Sequence, residues 1–174
     1  MRRASALLAA VLALALGGCI VAPPPIPDRE VTIELDGHVV RMDLPPTAEV
    51  GDPATQVDCA TSSVSVSLGD ETRGRIVAMT TTAEASCPDE EALNGRVPTW
   101  GPEDPLPVDA VPVDVEGAVE AHRFASSYTE CTNSCSTMTR EVLVAAVDDV
   151  AIMLLTRGVD AATFDRWLGS VEID

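Results

Sequence analysis

Five cysteines are the residues of this sequence most able to do covalent chemistry: Cys19, Cys59, Cys87, Cys131 and Cys135. Cys19 stands alone behind a long apolar stretch, and the other four form an even set in the body of the chain. An even set in an exported protein reads as disulfides, for which four cysteines allow three pairings. Cys131 and Cys135 share one polar connection, TECTNSCST, between two strand-like segments, which favours a local bridge and leaves Cys59 for Cys87. Those two flank a candidate hairpin whose turn, Gly69 to Gly74, lies near the midpoint between them. By loop-closure entropy the 131–135 bridge contributes roughly 2 kcal/mol and the 59–87 bridge roughly 3.6 kcal/mol. A thiolate metal site needs matched ligand pairs, and a single C-x3-C spacing supplies one, so no metal is expected.

Acid–base chemistry has little to work with. The only histidines are His38 and His122, both in strand-like segments with polar or charged neighbours, and each reads as an exposed or hydrogen-bonded strand residue. An enzyme would have to build its site from His122 or His38 with nearby carboxylates. No G-x-S-x-G, H-E-x-x-H or S-x-x-K motif occurs, and GDETRG at Gly69 to Gly74 lacks the lysine and following helix of a phosphate loop. No cofactor is expected. Asp89, Glu90, Glu91, Glu103, Asp104, Asp109, Asp114, Glu116 and Glu120 face a single arginine, Arg96, across that stretch. Their spacing matches no calcium loop, so a solvated surface is preferred to calcium or a basic protein partner. Trp100, Glu103 and Asp104, in a proline-rich loop, are the candidate binding residues. For Trp100 the preferred reading is that it pins that loop to the core.

The start of the chain explains Cys19. Arg2 and Arg3 precede the apolar run Ala4 to Leu16, and Gly17, Gly18 and Cys19 follow, the layout of a secretory signal peptide. The tetrad Leu16-Gly17-Gly18-Cys19 resembles the bacterial lipobox, which implies that Cys19 is diacylated and becomes the first residue of the mature chain. A signal anchor is the rival, since residues 4 to 22 are nearly long enough to span a bilayer, but two adjacent glycines oppose it. Arg2-Arg3 without further flanking residues is a weak twin-arginine signal. Ala22 to Pro27, APPPIP, then favours extended polyproline II geometry of about 3.1 Å per residue and reads as a tether or, equally, as an unstructured leader that lets the acylation enzymes reach Cys19.

Composition limits what such a domain can hold. The chain has 174 residues and a net charge of −17, and all eleven cations are arginine. Removal of residues 1–18 takes away two arginines and no acid, leaving 156 residues at −19. A surface of that sign repels nucleic acid and anionic lipid headgroups, so attachment falls to the acyl chains, of which two anchor stably and one does not. A hydrophobic content of 46% excludes a disordered acidic tail, and 3% aromatics leave an aliphatic core.

The elements that must position these groups are mostly strands. Val31 to Leu35 and His38 to Leu44 flank Asp36-Gly37, a hairpin turn. Ser62 to Leu68 alternates serine with aliphatic residues, the period of a half-exposed strand, and pairs with Arg75 to Thr82. Ser86 to Asn94 reads as a short helix. Pro98, Pro102, Pro105, Pro107 and Pro112 make residues 96 to 112 an irregular loop. Ala118 to Tyr128, Arg140 to Val147 and Val150 to Thr156 are three strands, the last two joined by Asp148-Asp149. The runs VLVAAV and VAIMLL lack alternation, so they belong at the centre of a sheet covered on both faces. Asp160 caps a helix to Leu168 whose Phe164, Trp167 and Leu168 form one stripe, Gly169 ends it, and Val171 to Ile173 returns as an edge strand.

That order, two central strands, a helix and the terminal segment FDRWLGSVEI at Phe164 to Ile173, resembles the end of PsbP-like domains and of LpqN-type lipoproteins over residues 118 to 174. The resemblance implies an accessory or binding protein without catalysis. The expected architecture is therefore α+β: signal peptide 1–18, lipidated tether 19–29, and one exported domain, 30–174. That domain is a mainly antiparallel sheet with a C-terminal helix on one face and a second, thinner helix and loop layer. The expected protein is a cell-envelope lipoprotein whose partners are membrane lipid through Cys19 and an envelope protein or small ligand. An envelope enzyme and a structural spacer are the alternatives. Ile20 after the cysteine resembles the outer-membrane pattern in a cell with two membranes.

Overall fold

A computed structural model describes residues 26–54, 62–69, 74–82, 96–98, 104–131 and 133–174. Strands β1 (Arg29–Leu35) and β2 (His38–Leu44) pair antiparallel, and Asp36 and Gly37 between them take φ of 48° and 91°. Two consecutive left-handed residues make the turn whose twist matches that of the strands it joins. Val31, Ile33 and Leu35 from one strand, with Val40, Met42 and Leu44 from the other, are buried. The short β11 (Glu172–Ile173) adds to β2 and completes a three-stranded sheet in the order β1-β2-β11.

The larger sheet is built from β3 (Glu49–Val50), β4 (Ser62–Ser67), β5 (Arg75–Thr82), β6 (Arg96–Pro98), β8 (Glu120–Cys131), β9 (Cys135–Val147) and β10 (Val150–Arg157), with β7 (Val111–Pro112) also pairing β8. Its order is β3-β4-β5-β10-β9-β8-β6, and each pairing is antiparallel. The non-alternating strands β9 and β10 stand in the middle, as their composition requires. On one face Val64, Val66, Ile76, Ala78, Leu143, Ala145, Ile152 and Leu154 join the buried residues of the small sheet in one aliphatic core. On the other, Phe124, Val142 and Met153 form a smaller cluster against Met79, Val144 and Leu155.

Helix α1 (Ala161–Leu168) buries Phe164, Trp167 and Leu168 in the main core. Asp160 accepts from the Thr163 backbone N–H at 3.0 Å and from its hydroxyl at 2.8 Å, satisfying donors that the first helical turn leaves open. Gly169 ends the helix at φ −64°, in ordinary right-handed geometry. Trp167 Nε1 donates to Asp28 Oδ2 at 3.3 Å, which ties the entry of β1 to the helix. The two sheets meet at a seam where the Ile173 N–H donates to the Glu116 carbonyl at 2.8 Å. There Gly117 has φ +87°, and a Cβ on it would lie 1.7 Å from the Ile173 carbonyl oxygen, so only glycine fits.

Three differences from the sequence reading have physical causes. Residues 96 to 112 are not irregular throughout, because β6 and β7 pair with β8. Proline lacks only the N–H, and at the end of a short edge strand that donor is dispensable. Most of the polar stretch around Cys131 and Cys135 lies within strands rather than between them, with only residues 132–134 joining β8 to β9. The β8–β9 ladder runs to Cys131↔Cys135 itself, since serine and threonine suit an exposed ribbon as well as valine suits a buried one. Strand content also outweighs helix, and the expected single sheet is two. The helix expected at Ser86 to Asn94 lies outside the described residues.

Candidate functional site

Several residues singled out by the sequence, Cys19, Cys59, Cys87, Trp100 and Glu103, lie outside the described residues, as do Asp89, Glu90 and Glu91. Cys131 and Cys135 are bonded to each other, and their Cα atoms are 4.1 Å apart across the end of the ribbon. Asp104 is exposed in the segment leading to β7. The histidines are not brought together. His38 opens β2 in the small sheet, and His122 lies on β8 in the large one. His122 Nε2 stands 3.5 Å from Glu120 Oε1, its neighbour two residues back on the same face of the strand, and the Glu120 side chain is largely in solvent. A contact to a carboxylate so open to solvent carries small energetic weight.

The charged group the sequence did not single out is Arg123 with Glu141 and Asp165. Arg123 pairs with Leu143 across the ladder, which sets it diagonally beside Glu141, and α1 brings Asp165 over the same face. Arg123 Nη2 lies 2.9 Å from Glu141 Oε2, and its Nε lies 2.9 Å from Asp165 Oδ1. Both contacts are ion pairs by distance, although neither Arg123 Nε nor Glu141 Oε2 lies on a hydrogen-bond line. The Glu141 backbone N–H donates to the buried Thr156 hydroxyl at 2.8 Å. Burial raises the Glu141 pKa; Arg123 opposes that rise, and Asp165 and Asp160 add to it. A carboxyl of raised pKa is a possible proton donor or acceptor. Here, however, an arginine closes over it between sheet and helix, and the triad acts as a strut that fixes α1 on the sheet. A signal for it existed in the sequence, because Arg140-Glu141 heads an otherwise apolar run.

Two open depressions lie elsewhere. One, of about 470 Å³, is lined by Glu49, Ser65, Ser67, Gly69 and Arg75 at one margin of the large sheet. The other, of about 330 Å³, lies along the seam between Asp114, Glu116, Ser170 and Glu172. Small-molecule pockets are mostly enclosed and apolar with a few placed polar groups, and both depressions are polar and open. Among the described residues no three His, Cys, Asp or Glu side chains converge as metal ligands, and no helix is long and apolar enough to cross a membrane. Arg140 is buried with its guanidinium carbon 5.8 Å from the Tyr128 ring centroid, an interior cation–π contact. What these residues do chemically is brace α1 and the β8–β9 ribbon against the large sheet. Comparison with known protein families, with curated proteins and with solved structures finds no match.

Proposed function

We propose that this protein is a lipoprotein of the bacterial cell envelope, anchored through acylated Cys19 on the extracytoplasmic face, whose domain serves a binding or accessory role without catalysis. The observation that carries the reading is Leu16-Gly17-Gly18-Cys19 directly behind the apolar run Ala4 to Leu16. The bonded pair Cys131 and Cys135 supports an oxidising compartment. Anchoring by lipid rather than by charge follows from the net charge of −17. Resemblance to PsbP-like and LpqN-type domains is retained as part of the proposal, supported by the succession β9, β10, α1 and β11. A second, thinner layer from residues 86 to 112 belongs to it too, supported by the burial of Phe124, Val142 and Met153 on the face away from α1.

Intact mass of the chain extracted in detergent tests the anchor. The expected species begins at Cys19 and carries added hydrocarbon, and Cys19→Ala loses that added mass. A species beginning upstream, or one without hydrocarbon, overturns the proposal. The non-catalytic reading has its own test. A deletion phenotype restored by the chain carrying His38→Ala and His122→Ala agrees with it, and failure of a folded double variant to restore it favours an enzyme.

A further inference from the structure

Three of the eleven arginines stand in one row across the large sheet. Arg75 of β5 pairs with Arg157 of β10, and the β10–β9 register, carried two residues past Val142↔Leu155, sets Arg140 level with Arg157. Arg140 in turn pairs with Ser126 of β8. The three arginines share strand parity with Met79, Leu155 and Val142, so they lie on the face turned away from α1. Neighbouring strands are about 4.8 Å apart, and like charges directly opposed destabilise a sheet. Arg140 is 9% exposed, and a buried charge needs an opposite one beside it. Glu49, the described acid in line with the row, stands four strands from Arg140 in the order β3-β4-β5-β10-β9. On the same face Phe124, Val142 and Met153 are buried, and of the described hydrophobic residues packed on them only Ala110 comes from outside the strands of the sheet.

We propose that the arginine row is the docking site of the chain's own acidic run, Asp89-Glu90-Glu91, with Arg140 at its centre. It rests on the reading of residues 86 to 112 as a second layer, which the row pins to the sheet. Thr82 ends β5 opposite Val150, which pairs with Val147, one residue past Ala146↔Glu120, and Arg96 opens β6 opposite Glu130. The row, level with Ser126, falls between those two ends. The small sheet and α1 fill the other face, so residues 83–95 reach Arg96 across this one. On a flat sheet the ends are about 42 Å apart, at 3.4 Å per residue along the strands and 4.8 Å between them, and fourteen steps span at most about 50 Å. With so little slack, evenly spaced steps meet the level of the row about nine residues after Thr82, at Glu91, and between β9 and β8, beside Arg140. Three carboxylates then answer three guanidiniums. In a chain of net charge −17 a dissolved anion is repelled, whereas this run is held near the row by its own backbone.

Methionine oxidation by dilute hydrogen peroxide, followed by mass spectrometry on the full chain in non-ionic detergent, reads the cover over this face. Met153 lies beneath it, Met42 lies in the main core, and Met138 is 41% exposed. In the unaltered chain Met153 is expected to react as slowly as Met42. Glu90→Arg with Glu91→Arg sets like charges on the row and is expected to speed Met153 by about tenfold or more while Met42 keeps its rate. Glu34→Arg with Asp149→Arg makes the same change of charge at exposed positions away from the row and leaves both rates as they were. Adding Arg140→Glu and Arg157→Glu to the Glu90 and Glu91 pair is expected to return Met153 to within about threefold of its original rate. If Met42 quickens with Met153 in the first variant, that chain has unfolded, and Glu90→Gln with Glu91→Gln takes its place with an expected rise of about threefold at Met153 alone. A Met153 that is protected in the unaltered chain and indifferent to these acid-side changes overturns the proposal and spares the second layer, and so does one that stays fast when the charges are exchanged. A Met153 as reactive as Met138 in the unaltered chain overturns both.

Discussion

From Arg140 to Val147, β9 lies within the large sheet with most of its side chains buried; from Cys135 to Thr139 the same strand is exposed throughout and borders β8 alone. The inner half is aliphatic beyond its leading charged pair, and the outer half after Cys135 is serine, threonine and methionine. Both halves keep one continuous ladder with β8, so backbone pairing does not distinguish them. What distinguishes them is what covers their side chains. A strand can therefore be specified by burial at one end and by hydrogen bonding and a disulfide at the other.

The largest expected difference follows from burial. Leu143 is fully buried, and Leu143→Ala should cost about 3 kcal/mol of unfolding free energy, whereas Thr137→Ala should stay within about 0.5 kcal/mol. Comparable losses from urea denaturation would break the distinction between the halves. Next comes the seam that lets the small sheet cover the inner half. Gly117→Ala meets both a positive φ and the Ile173 carbonyl, and should cost about 2 kcal/mol or more. Removal of the 131–135 bridge by paired Cys→Ser substitutions should act almost entirely on the outer half. Amide exchange should quicken from Ser126 to Thr139 and stay slow from Val142 to Val147, with a global loss of about 1 kcal/mol, below the loop-closure figure because the ribbon opens locally.

The smallest effect sits where the halves meet. Burial raises the Glu141 pKa, against the pull of Arg123, so the folded chain holds that proton to higher pH than the unfolded chain does. Its contribution to stability therefore declines as pH rises from the ordinary carboxylate value through the raised one. Asp160 has the opposite sign. Backbone and side-chain hydrogen bonds from Thr163 lower its pKa, so its stabilisation is complete above the ordinary aspartate value and is lost as pH falls through the lowered one. Denaturation midpoints measured against pH should lose the first slope in Glu141→Gln and keep the second.

Much of the fold was legible because local chemistry dictated it. Asp36-Gly37 fixed a hairpin, the Ser62 to Leu68 alternation fixed a strand, Asp160 fixed a helix start, and the unbroken runs in β9 and β10 implied a central position. Each was read from contacts within a few residues or from a period. Pro98 and Pro112 misled because proline signals the loss of one donor, and whether that donor is needed depends on which side of the strand is free. The Arg123, Glu141 and Asp165 strut joins three elements across the fold, so its one sequence signal was the charged pair Arg140-Glu141 at the head of an apolar run, and no spacing pointed to Arg123 or Asp165.

By itself the sequence determined the sign of the surface, the elements with strong local signals, and the lipobox-like tetrad on which the proposed anchor rests, because charge and short-range periodicity are properties of neighbours in the chain. Only the tertiary structure decided that the strands divide into two sheets joined at Gly117, that an arginine closes over Glu141, and that β9 extends past β10. Those outcomes depend on which distant segments share a face and where each partner strand stops, and no local pattern encodes a length difference between two strands that meet only in the folded chain.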